Sequence, residues 1–423
     1  MTKMLNLAVI AAIGAAPAAA FAQETTISVW DEFGAEPQRG AMENIVAHCE
    51  EQIPGLTVDR TTMQMEQMQT ILTTAIQSGE GPDVFYSSPG WSTVGPLIQA
   101  GAVADLTEAY DTRGWRDRVQ PWAVDYVTYN GSAWAVPYEA EIQGIFYHAD
   151  ILEEHGIDMP ETYDDLIAAA EALQDAGYED PIVTAARPAF VLGWLESSML
   201  GATIPVDTLE EIVLNHGSWD NPAYHDAIAR IADLYERDLV PSGVLAYSYD
   251  DMMAEFYTKS SPMVLTGSWI VANIDGNFPD LNVDYMEIPP VEGVEQRAPK
   301  AAGGGFMMSA NSDKTEASLQ FLDCLATPEA AQIWLAEGLS RAPVEGVDAE
   351  AANLSPLNQR VTEVVNQPLS AFNLYGVLPA EVNDATWNGI QAMWAGMMTP
   401  EELVAVKQDA WQAAIDAGEV IGQ

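Results

Sequence analysis

The sequence predicts an α/β protein of at least two domains, with mainly parallel sheets flanked by helices. Three observations predict it. Segments of period two and segments of helical spacing alternate from Thr26 to Tyr86, the order of right-handed βαβ units. The chain has 423 residues, against about 100–200 for a usual domain. Hydrophobic residues make up 48%, enough for an ordinary core despite a formal net charge of -47.

The elements follow in order. Thr26–Trp30 alternates as a strand, with Trp30 read as core, and Asp31–Gly34 follows as a loop. Pro37–Gln52 has helical apolar spacing and is stopped by Pro54-Gly55. Leu56–Thr61 is a strand, Met65–Ser78 a helix ended by Gly79, and Pro82–Tyr86 a third strand. Ligands of such sheets gather at the carboxyl ends of strands, here the loops Asp31–Gly34, Thr62–Gln64 and Ser87–Trp91. A second block follows Ala133–Pro137, with a helix over Asp164–Ala176, Thr162 as its N-cap and Gly177 as its end. A third block, Ala301–Ser309, reads as one glycine-rich strand before the helix Thr315–Ala326.

The N-terminus predicts export. Lys3, the apolar run Met4–Ile13 and Ala20-Phe21-Ala22 form a charged region, a short hydrophobic region and a small-residue cleavage signal near Ala22. No cysteine near Ala22 suggests a lipid anchor, and no twin Arg is present. With 63 Asp+Glu against 16 Lys+Arg, the surface field repels phosphate backbones, so nucleic acid is excluded as a partner. An anionic membrane surface is disfavoured for the same reason. Such acidity suits a salt-rich exterior.

Catalytic signatures are missing. The five histidines stand apart, and no HExxH, CxxC, GxSxG, GxGxxG or phosphate-binding loop occurs, so no metal and no cofactor is expected. Cys49 and Cys324 lie on apolar helical patterns far apart in sequence. An exported pair could bridge, but the reading favours two separate buried thiols.

Four segments carry a resemblance. SGEGPDVFYSSPGWSTVGPLIQAGAVADLTEAYD and GSAWAVPYEAEIQGIFYHADILEEHGIDMPETYDDLIAAAEAL resemble the family-1 extracellular solute-binding proteins of ABC importers, the carbohydrate group that includes maltose-binding proteins. FYTKSSPMVLTGSWIVANI and the glycine strand with TPEAAQIWLAEGLSRAPV are similar to its later signatures, in the right order. Tyr147-His148-Ala149-Asp150 and Pro160-Glu161-Thr162-Tyr163 depart mildly from the pattern.

The resemblance implies a periplasmic-binding-protein fold: two lobes, each a helix-flanked sheet, with the ligand cleft between them. Lobe one is expected over 23–138 plus 290–338, and lobe two over 140–288 plus 339–423. Hinges would fall near Glu139–Ile142 and Pro289–Val291, with a further crossing after Gly338. It further implies a monomeric, non-enzymatic periplasmic protein that closes on a sugar or polyol and docks on permease subunits. An exported glycosidase using Glu139 and Glu141, and a receptor-presenting signalling protein, are the readings from other classes.

The resemblance matches Trp269 to a ring-stacking tryptophan and Glu141 to a hinge carboxylate that binds sugar hydroxyls. Position adds Glu139 two residues away, and Tyr138 beside it. Glu32 and Phe33, Gln64, and Ser88 and Trp91 follow strands or precede helices at the switch of the sheet. Gly304 and Gly305 allow close backbone approach. Trp194 and Tyr375 fill aromatic positions of the second lobe. Arg187 and Arg341 stand out because bases are scarce, and their planar forks suit an acidic sugar or a phosphorylated polyol of the glycerol-phosphate type.

Overall fold

The computed structural model describes residues 24–421 except 296, 340, 341, 349, 353 and 368–370. The export signal over 1–22 therefore lies outside the described residues.

Two sheets organise the chain. The first has the order Leu56–Thr62, Thr25–Asp31, Val84–Ser87, Gly305–Met308, Val136–Pro137. Its first three strands run parallel because helices Gln38–Gln52 and Met65–Ser78 carry the chain back between them. Ile27 and Val29 point into its core, while the intervening residues are less buried. The second sheet centres on Ala140–His148, whose neighbours are Met263–Gly267, Val283–Met286 and Pro299–Ala302. All three pair with it antiparallel, so this sheet is mixed where the sequence reading expects mainly parallel pairing. The reason is topological: the chain enters along one long strand and returns along its flanks.

Local signals set the helix ends. Thr162 caps Tyr163–Asp175 through a reciprocal bond with Asp165, and Gly177 then takes a positive φ of 106°. Met65–Ser78 ends at Gly79, also left-handed.

The crossings between lobes fall elsewhere than two of the three expected places. The chain leaves the first sheet after Pro137 and enters the second at Ala140. The backbone around 289–291 is still held by the second lobe, since Tyr163 N donates to Pro290 O and Val291 N to Ala202 O. Pro299–Ala302 pairs with Ala140–Ile142, and Gly305–Met308 pairs with Val84–Ser87. The return crossing is therefore Gly303-Gly304, and the single glycine strand of the sequence reading is two strands in two sheets. The last crossing comes after Glu345, whose N–H still donates to Arg118 O at 2.7 Å.

Separate cores lie under the two sheets. Helices Gln38–Gln52 and Thr315–Leu325 cover the first. The C-terminal helices Ala380–Trp394 and Pro400–Ala417 pack with Phe190–Thr203 in the second. Cys49 and Cys324 form a disulfide across a separation of 275 residues, which corrects the expectation of two free thiols. Helical spacing hid the pairing: both cysteines lie on buried helix faces turned to one core.

Candidate functional site

A cleft of about 580 Å³ opens beside the crossings. One wall is aromatic. Strand Met263–Gly267 ends at a glycine whose missing Cβ leaves room for the ring of Trp269. Ile142 N donates to Ser268 Oγ at 3.2 Å and ties this turn to the hinge strand. Trp269 Nε1 donates to Tyr249 Oη at 2.8 Å, and the rings of Trp194 and Trp269 sit 4.5 Å apart. Phe190, one helical turn before Trp194, extends the wall at a centroid distance of 5.3 Å. Offering ring faces half-exposed to a cleft suits the C–H surface of a polyhydroxylated ring.

The floor is polar. Glu141 and Gln143 alternate along the hinge strand and both line the cleft. Asn373 lines it as well, and among the described residues the buried Gln143 Oε1 and Asn373 Oδ1 have no hydrogen-bond partner. Gly303 has no Cβ because the Glu141 carboxyl occupies that place, and Gly304 because the Tyr86 hydroxyl does. Tyr86 in turn donates to Glu139. The two glycines therefore let the crossing pass over a cluster of acids rather than over a ligand.

That cluster is electrostatically strained. Burial, then the charges of Glu139 and Glu32, raise the Glu141 carboxyl well above its usual range. Burial raises Glu139 to about 7 against the Tyr86 hydrogen bond. Glu32 faces solvent yet is enclosed on most sides, and burial with the charges of Glu139 and Asp31 lifts it to about 7. Asp31 itself is matched by Arg60, which also donates to Phe33 O and pins this loop. Folded Glu139 keeps its proton up to about pH 7, whereas the unfolded group loses it near 4.5. The folded state thus binds more protons across that window, and stability falls as pH rises through it. Denaturant unfolding from about pH 5 to 8 is expected to show a smaller decline for Glu139→Gln than for the native protein; equal slopes would refute the assignment.

Of the sequence-predicted residues, Ser88, Glu141, Trp194, Trp269 and Tyr375 line the cleft. Glu139 and Glu32 stand behind Glu141 in the acid cluster. Others are placed differently. Phe33 is buried between Tyr86 and Trp334, at 4.6 and 4.9 Å, because the loop folds back onto the core. Tyr138 is fully buried between Phe306 and Trp334. Trp91 is 6% exposed and donates to Glu419 O at 2.6 Å, so it holds the C-terminal segment. Gly305 is required by the Val136 carbonyl 2.9 Å from where its Cβ would stand. Gln64 and Arg187 are exposed and outside the cleft lining, and Arg341 lies outside the described residues.

Met65, Tyr126, Gln143, Phe190, Tyr249 and Asn373 also line the cleft and were missed. Gln143 and Phe190 carried a signal, being at strand and helix repeat distances from Glu141 and Trp194. Tyr126 and Asn373 carried none.

Two helix-flanked lobes with a polar and aromatic cleft at their crossings define a two-lobed binding protein. The chain belongs to the bacterial extracellular solute-binding protein family, which matches residues 34–332. It is similar to the alpha-glucosides-binding periplasmic protein AglE of Rhizobium meliloti, 24% identical over 394 residues, spanning 85% of this chain and 81% of the relative. The multiple sugar-binding protein of Streptococcus mutans is 21% identical over 331 residues, 75% of this chain and 76% of that one. Among solved structures, a chitin oligosaccharide binding protein superposes with a TM-score of 0.79 at 21% identity, covering 92% of this chain and 99% of its own.

Proposed function

We propose that this protein is the periplasmic binding component of an ABC importer, capturing a sugar or oligosaccharide in the cleft and delivering it to a permease. One observation carries the reading: an aromatic wall of Trp194, Trp269 and Tyr249 meets Glu141 and Gln143 across a cleft of about 580 Å³. Rings take the C–H faces of a sugar, and the acceptors take its hydroxyls. The ligands for which the relatives are named, alpha-glucosides and multiple sugars, support the class of ligand. The volume lies within the usual few hundred Å³ of small-molecule sites.

Capture proceeds by hinge closure about Tyr138–Glu139 and Gly303–Gly304, where the chain passes between sheets. The closed form has the higher affinity for the permease, so ligand and docking are coupled. The protein works as an exported monomer without cofactor or covalent chemistry. Among the described residues no helix is long and apolar enough to cross a membrane, which is compatible with a free binding component. A glycosidase using Glu139 and Glu141 is less well supported, since Tyr86 already engages Glu139.

A thermal-shift screen over neutral sugars, amino sugars, uronic acids and sugar phosphates tests the reading. A bound ligand stabilises by about 2.7 kcal/mol at a hundredfold excess over Kd. No shift with any carbohydrate would remove the proposal. With the best ligand in hand, Trp269→Ala is expected to weaken binding by about tenfold to a hundredfold by calorimetry. Unchanged affinity would take Trp269 out of the site.

A further inference from the structure

Glu141 is the charged side chain among the described residues that line the cleft. Among the described residues no Lys, Arg or His lines it. Arg187 is exposed on a neighbouring loop. The Lys300 ammonium lies in an adjoining cavity, over Trp122 and donating to Gln367 O at 2.7 Å. Glu141 faces the cleft with Glu139 and Glu32 close enough to act on it electrostatically. Gln143 and Asn373, only 2% and 5% exposed, line the same cleft, and among the described residues their buried Oε1 and Oδ1 atoms have no donor. Elsewhere three buried carboxylates have a cation: Asp31 has Arg60, Asp83 has Lys314, and Glu196 has Lys407. Among the described residues the acids at the cleft have none.

We propose that the preferred ligand is a carbohydrate bearing a protonated amine, an amino sugar or aminated sugar alcohol, with its ammonium at Glu141 and its ring on Trp194 and Trp269. The proposal rests on the carbohydrate reading above and narrows it. An ammonium brings three donors and no acceptor, which suits a carboxyl with no cation beside it among the described residues. In the empty cleft burial and the neighbouring acids keep a proton on Glu141; a bound ammonium supplies the missing cation, and that proton is released as the pair forms. A cation is also attracted to the faces of neighbouring indoles. The acidic field of the whole chain concentrates cations and repels anions, so the acidic sugar or phosphorylated polyol suggested by Arg187 is disfavoured.

The test is calorimetric titration of the protein with matched pairs: glucosamine and glucose, galactosamine and galactose, and a chitosan trisaccharide with its N-acetylated counterpart. At least one amine is expected to bind about tenfold or more tightly than its neutral partner, an advantage that falls with added salt. Glu141→Gln should abolish that preference. Glu32→Gln, a near-isosteric change in the loop after the first strand, should reduce it by about threefold. Neutral sugars binding as well as or better than amines would overturn the proposal and leave sugar capture standing. Equal preference in both variants and the native protein would overturn the role of these carboxyls. Binding of neither class would defeat sugar capture itself, and this proposal with it.

Discussion

Lys407→Met is expected to lower stability by about 3–5 kcal/mol, measured by urea unfolding. Lys407 lies on the last long helix, Pro400–Ala417, and is fully buried. Its ammonium pairs with Glu196 of helix Phe190–Thr203, also fully buried. It stands 3.8 Å from the ring centre of Trp219 and 4.8 Å from that of Tyr224, whose hydroxyl donates to Glu196 at 2.8 Å. Burial pulls the Lys407 pKa down, and the Glu196 charge pulls it back up. Removing the cation leaves a carboxylate in an apolar core with one oxygen, Oε2, already without a partner. The double replacement Lys407→Met with Glu196→Leu should recover most of the loss, because no unmatched charge then remains. A single-variant loss below about 1 kcal/mol, the level of an exposed pair, would show that the interior is wet.

Replacing Cys49 and Cys324 by serine is expected to cost about 2–5 kcal/mol, toward the upper end because the enclosed loop is long. The bond ties helix Gln38–Gln52 to helix Thr315–Leu325, which reach the same core from opposite ends of the sequence. Cross-linking them removes open conformations from the unfolded chain. Neither cysteine lines the cleft, so ligand affinity should change by less than about twofold. Unfolding midpoints with and without reductant, compared with the double serine variant, check this. A native protein insensitive to reductant would mean that the bond is either absent or carries no stability.

Much of the first lobe was legible. Ile27 and Val29 alternate with less buried neighbours, Gly79 stops its helix in a left-handed turn, and in the second lobe Thr162 needs only Asp165 three residues on to cap Tyr163–Asp175. Such signals act over a few residues and survive in any context. Trp269 and Glu141 were found through family resemblance, and both line the cleft. Phe33, Tyr138 and Trp91 were misassigned for one reason. A residue next to a strand end can turn to the cleft or back to the core, and periodicity is the same in both cases.

The sequence by itself determined the βαβ order, the helix caps, the acidity of the surface and the type of side chain available for a ligand. Tertiary structure alone decided the second sheet's mixed pairing, the crossing at Gly303-Gly304, the bridge between Cys49 and Cys324, and the meeting of Met65, Tyr126, Gln143 and Asn373 in one cleft. The physical reason is range. Backbone sterics and hydrogen-bond periodicity act between near neighbours, whereas the cleft joins residues from Met65 to Tyr375 whose proximity arises from packing two cores against the same returning chain.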